Sequence, residues 1–138
     1  MRLKSGEKAF DRPRSHVHCD LGLVAEALEY VESHGRDFFV AEVVMGRVVG
    51  QSDCVETTDE DVIVYRRRPG RAGPTRYAVG RAPEPSDRVT VILKQVPDGY
   101  LIITAWIGGR SEPEPWDRHA TPRSETWWAR HALVRATH

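Results

Sequence analysis

The stretch 88–108, RVTVILKQVPDGYLIITAWIG, constrains the fold more than any other part of the chain. Two arms rich in β-branched and aromatic residues flank Pro97-Asp98-Gly99, a pattern that predicts a β-hairpin. In the turn, proline presets φ, aspartate suits the bridge region and glycine takes the left-handed position. With Gly99 closing a three-residue loop, Val96 faces Tyr100, Lys94 faces Ile102, Ile92 faces Thr104 and Thr90 faces Trp106. Val89, Val91, Leu93, Leu101, Ile103, Ala105 and Ile107 then form a core face. The other face carries Thr90, Ile92, Lys94, Tyr100, Ile102, Thr104 and Trp106. It sets an ammonium and a hydroxyl on diagonal neighbours about 7–8 Å apart. A site on this sheet is expected there.

The rest of the chain supplies a helix and further strands. Residues 1–15 are polar and basic around Arg12-Pro13-Arg14 and read as an arm. Asp20 is a suitable N-cap for a helix to about Ser33, with Leu21, Val24, Ala25, Leu28 and Val31 on one stripe and His34-Gly35 at its end. Strands are expected in 38–49, once or twice within 54–68, and in 75–80. The segment 111–138 reads as a Pro/Trp-rich tail, in which Thr121 and Pro122 open a terminal helix. We therefore expect one domain over 1–138, with its core in 16–110. Its class is α+β, with the N-terminal helix packed on one face of a four- to five-stranded antiparallel sheet and a short C-terminal helix.

Composition excludes several classes. No apolar run approaches the ~20 residues that span a bilayer, and the N-terminus has no signal-peptide core. The expected setting is the cytoplasm, or the cytoplasm of a target cell for a delivered effector, with no membrane partner. Cys19 and Cys54 are too few for a disulfide framework and read as free thiols. The net charge is +0, which argues against non-specific nucleic-acid binding by the whole molecule. The distribution is uneven, however. Acids dominate 37–64, whereas arginines dominate 65–94. A basic segment beside an acidic one suits a polyanion, and equally suits two strand faces that pair with each other.

Chemistry-bearing candidates are few. His16 and His18 alternate in an extended segment and so share a face, which suits a general acid and base. They also suit a surface loop or, with Cys19, the start of a zinc site, but no second ligand cluster has familiar spacing. Lys94 can stabilise a developing phosphorane charge, and the Thr104 hydroxyl can donate to its oxygen, with Tyr100 beside them. Arg68, Arg76 and Arg81 can clamp phosphates, or simply solubilise their loops. There is no P-loop, dinucleotide glycine fingerprint, HExxH or GxSxG. No cofactor is expected.

A helix preceded by histidine, the hairpin TVIL…YLIITAWIG, the arginine-bearing TRYAVGR before it and a Trp-rich end resemble the metal-independent ribonuclease toxins grouped as barnase–EndoU–colicin–RelE-like. The resemblance covers about 14–110. It implies helices on one side of an antiparallel sheet and RNA cleavage on the other by 2′-hydroxyl attack. By this resemblance His16 or His18 is the helix-side histidine, Arg76 and Lys94 contact phosphate, and Thr104 is the hydroxyl on a late strand. The implied partners are RNA and a cognate immunity or antitoxin protein. The alternative is a non-enzymatic module of the same fold that binds RNA or an acidic protein through its basic sheet face.

Overall fold

The computed structural model describes residues 1–134, and for 12–16 the course of the main chain only. In chain order the elements are β1 (Ala9–Val17), α1 (Leu21–Leu28), β2 (Phe38–Val44), β3 (Gly50–Ser52), β4 (Cys54–Glu56), β5 (Val62–Arg67), β6 (Pro74–Val79), β7 (Glu84–Ser86), β8 (Arg88–Val96), β9 (Gly99–Ile107), α2 (Ser124–Trp128) and β10 (His131–Leu133). The α+β class holds. Contacts divide the chain into two compact units, Met1–Gly50 with Pro85–Arg110 and Gln51–Glu84 with Ser111–His138. The short strands β3 and β7 carry the chain from one unit to the other.

The first unit is built on the expected hairpin. Its sheet has the order β1-β9-β8-β2. The β8–β9 and β2–β8 pairs are antiparallel, but β1 runs parallel to β9, so the sheet is mixed rather than antiparallel. The stretch expected as an arm thus supplies an edge strand, whose first residue, Ala9, is buried, as is Leu3 before it. Pro13 is compatible with an edge, where its missing N–H breaks few ladder bonds. It lies within the register shift between Asp11 and His16.

The hairpin's parity differs from expectation in its turn half. Val96 pairs with Gly99 across Pro97-Asp98, and the β8–β9 register shifts between Ile92 and Leu93, leaving Ile103 without a partner. The Thr90–Trp106 and Ile92–Thr104 pairs stand as expected, while Leu93 now faces Ile102. Because a one-residue slip reverses every side chain, Tyr100 and Ile102 enter the core in place of Leu101 and Ile103. Tyr100 meets Phe39 edge-on with ring centroids 5.5 Å apart, and its hydroxyl donates to the Arg36 carbonyl at 2.8 Å.

Asp20 caps α1 by accepting from the Leu23 N–H at 3.1 Å. The helix ends at Leu28, short of the expected Ser33. The N–H groups of Glu29, Tyr30 and Val31 bond three residues back, tightening the turn, and the Val31 carbonyl accepts from Lys4. Ser33 is buried, and its hydroxyl donates to Glu7 at 2.6 Å. Val24, Ala27 and Leu28 join Phe39, Val91, Leu93, Tyr100 and Ile102 in one apolar cluster.

In the second unit the sheet order is β4-β10-β6-β5. The segment expected as a tail is integral here. Its strand β10 lies between β4 and β6, the Trp128 indole donates to the Glu112 carbonyl at 2.8 Å, and the Trp116 indole donates to the Pro74 carbonyl at 2.9 Å. A Cβ on Gly73 would overlap the Trp116 ring.

Gly99 ties the hairpin to β1. Its φ is 146°, and a Cβ there would overlap the Lys8 carbonyl, which accepts from the Tyr100 N–H at 2.9 Å. Gly46 also has positive φ, 78°, but opens onto empty space. Gly46→Ala should therefore cost only left-handed strain, about 1–2 kcal/mol. Gly99→Ala should cost more in urea unfolding, and equal costs would show that β1 does not press on the turn.

Candidate functional site

The side of the first unit's sheet away from the α1 cluster is organised in two rows that cross all four strands, the described residues of the first half-buried and those of the second mostly exposed. One row runs Val40–Ile92–Thr104–His16 and the next Phe38–Lys94–Leu101–Phe10. Paired residues on neighbouring strands lie about 5 Å apart, and the two rows belong to the same face because β8 contributes Ile92 and Lys94, two residues apart. On the opposite face the row Phe39–Leu93–Ile102 is buried.

Three of the expected catalytic residues gather here by register. Thr104 is half-buried and stands opposite His16 on β1 and Ile92 on β8. The side chain of His16 lies outside the described residues, so its position is known only as a register partner. His18, exposed, follows directly on β1 and donates its N–H to the Ala105 carbonyl at 2.8 Å. Lys94 is exposed, and among the described residues its ammonium makes no ion pair. Phe10 and Phe38 in the same row are 38% and 57% exposed, so the lysine sits in an accessible apolar row. Tyr100 is not part of this face. The changed parity of β9 buries it completely, and its hydroxyl is spent on Arg36.

The three arginines expected to bind phosphate belong to the second unit, where each already has acceptors. Arg68 donates to Thr75 at 3.1 Å and pairs with the well-buried Glu114 at 3.0 Å. Arg76 donates to the Thr57 hydroxyl at 3.0 Å and the His131 carbonyl at 2.9 Å, fastening β10 to β6. Arg81 binds Asp61 at 3.0 Å and Glu84 at 2.9 Å. The Thr58 N–H, and then Arg81, hold the Asp61 carboxyl below its usual range. In the first unit Arg88 similarly meets Glu42 at 3.1 Å. Acidic and basic stretches thus pair with each other through Asp61–Arg81 and Glu42–Arg88.

Sequence reasoning missed one feature near these groups. A cavity of about 660 Å³ lies at the turn end of the hairpin, lined by Glu7, Lys8, Phe10, Gln95 and Asp98 among others. It depends on β1, which composition disguised. In the second unit the His131 ring stacks on Trp127 at 3.8 Å, with Nδ1 2.7 Å from the Trp127 carbonyl. The four-residue spacing signals that contact, although His131 itself begins a strand.

Among the described residues no cluster of His, Cys, Asp or Glu has the arrangement of a metal site, and no helix is long and apolar enough to cross a membrane. No family model, curated protein or solved structure matches the chain.

Neither cysteine is poised as a nucleophile. Half-burial and then Asp20 push the Cys19 thiol up, and burial pushes Cys54 from 9.0 to about 12, against a hydrogen bond from Ser111. Between the two Cys54 values the folded chain keeps a proton that the unfolded chain has lost. Its contribution to stability is complete below pH 9 and falls as pH rises toward 12. Cys54→Ala should therefore lose less stability than the parent chain between about pH 8 and about pH 10.5 in urea titrations. Equal losses would count against a buried thiol.

Proposed function

We propose that the two-row face of the first unit binds RNA and cleaves it without a metal, by attack of a 2′-hydroxyl on the adjacent phosphorus. The single observation that carries this reading is the register of His16 against Thr104, with Lys94 in the next row. Transesterification needs a base to take the 2′-hydroxyl proton and an acid to protonate the leaving 5′-oxygen, and imidazoles near neutral pKa serve both. His16 and His18 take these roles. Lys94 offsets the added charge of the phosphorane, and the Thr104 hydroxyl donates to a non-bridging oxygen. The helix and sheet share one apolar cluster through Val91 and Leu93, which is consistent with a helix covering one face and leaving this one for substrate. The toxin-like role, an immunity or antitoxin partner and a cytoplasmic site of action belong to the same proposal.

A second reading is favoured by the composition of the rows. Phe10, Phe38, Leu101 and Ile92 outnumber the polar groups, as suits a non-enzymatic module of the same fold that binds RNA or an acidic protein. Arg68, Arg76 and Arg81 serve neither reading directly, because their N–H groups are engaged within the second unit.

Purified protein incubated with RNA in excess EDTA distinguishes the two. Cleavage leaving 2′,3′-cyclic phosphate ends, abolished in His16→Ala or His18→Ala, is the expected result. Lys94→Ala and Thr104→Val should each lose on the order of 100-fold in rate while melting like the parent. RNA left intact by every preparation, but bound in a manner sensitive to Lys94→Glu and not to Arg47→Glu, would support the second reading.

A further inference from the structure

We propose that the free edge of β5 pairs antiparallel with β5 of a second copy of this chain. β5 is the last strand of the second unit's sheet, and one of its edges is satisfied by β6 through an unbroken antiparallel ladder from Val62–Val79 to Arg67–Pro74. Among the described residues no strand takes the other edge. Natural sheets blunt such edges with lysine, proline or a bulge. The first four residues of β5, VIVY, have none of these, and Val62, Val64 and Tyr65 are 64%, 37% and 65% exposed.

The identity of the partner follows from the charges at the ends of the strand. Asp59 and Glu60 precede β5, and Arg66 and Arg67 close it. The side chains of Asp59, Glu60 and Arg66 make no ion pair among the described residues, whereas the neighbouring Asp61 and Arg68 are taken by Arg81 and Glu114. An antiparallel copy brings the acidic start of one strand opposite the basic end of the other, twice. A parallel copy would set like charges side by side.

Symmetry narrows the register. Hydrogen-bonded and non-hydrogen-bonded pairs alternate along an antiparallel ladder. A two-fold axis relates pairs of the same kind, so one residue must stand opposite its own copy. With Ile63 at the axis, Val62 faces Val64 of the second copy, and Asp59 and Glu60, in the turn just before the strand, come to the end of the copy's strand that carries Arg66 and Arg67. This is a self-complementary interface of the kind that closes as a dimer and leaves no β5 edge free.

Sedimentation equilibrium of the intact chain tests the pairing. A reversible dimer is expected, weakened by salt. Glu60→Arg and Arg66→Glu should each raise the dimer Kd by about tenfold or more, and the double variant Glu60→Arg/Arg66→Glu should restore it. Val62→Lys, at an exposed position, should leave a folded monomer as judged by circular dichroism and thermal melting. A monomer at every attainable concentration would overturn the proposal. So would a dimer indifferent to the single reversals, or reversals that the double variant fails to rescue.

Discussion

Ile103 is the residue on which the first unit's two faces turn. Both ladders of β9 lose register there: β8 passes from Ile92–Thr104 to Leu93–Ile102, and β1 passes from His16–Thr104 to Asp11–Ile102. An unpaired residue in a strand changes which side the following residues face. Tyr100 and Ile102 on one side of it, and Ala105 on the other, can therefore all enter the same core. Strict alternation through 100–107 would have sent one of these two sets outward. The same slip brings Leu101, opposite Lys94, onto the face that carries Thr104 and Ile92. Core packing and candidate site thus share a single local irregularity, so a change that repaired the register would disturb both.

Electrostatics shapes the second unit in a comparable way. Arg76 bridges β6 to the Thr57 hydroxyl and the β10 carbonyl of His131, contacts that hold short strands together where apolar burial is limited. Charged hydrogen bonds to such groups contribute about 1.5–3 kcal/mol each. Arg68 and Arg81 do the same for the 111–123 segment and the approach to β5. These arginines look available in the sequence because their acceptors are distant in the chain, 46 residues away for Arg68 and Glu114.

What the sequence made legible was local. The hairpin, its Pro-Asp turn, the Asp20 cap and the strands within 38–49, 54–68 and 75–80 all carry their signals within a few residues. The features it hid are settled by distant partners. β1 is charged and contains Pro13, and it becomes a strand only because β9 offers an edge. The helix stops at Leu28 although its stripe continues to Val31, because Val31 and Ser33 are bound by Lys4 and Glu7 from the N-terminal segment. β10 is three residues long and gains meaning only between β4 and β6. The expectation of Tyr100 as a ligand-facing residue failed through one miscounted turn position, which alternation converts into a reversal of face. Thr104 and Lys94 were legible on one face because the alternation of β8 and of the far half of β9 was read correctly, whereas His16 joins them only through the pairing of β1 with β9.

The make-up of the two rows sets how an RNA ligand would have to be held. Among the described side chains Lys94 is their only cation, flanked in register by Phe38 on one side and by Leu101 and Phe10 on the other. Single-stranded binding loses affinity with salt at about 0.7 power per neutralised phosphate. A face with so little charge would therefore show a shallow salt dependence, unlike that of a basic nuclease. Base stacking on aromatic rings is worth about 1–3 kcal/mol per base and is far less sensitive to salt. Phe10 and Phe38, three strand spacings apart or about 14 Å, are too far apart to clasp one base but suit different nucleotides along a strand. Under the proposed reading, stacking supplies the affinity and Lys94 is reserved for the charge that appears only in the transition state. That division of labour is consistent with a chain in which Arg68, Arg76 and Arg81 are already engaged by its own acceptors.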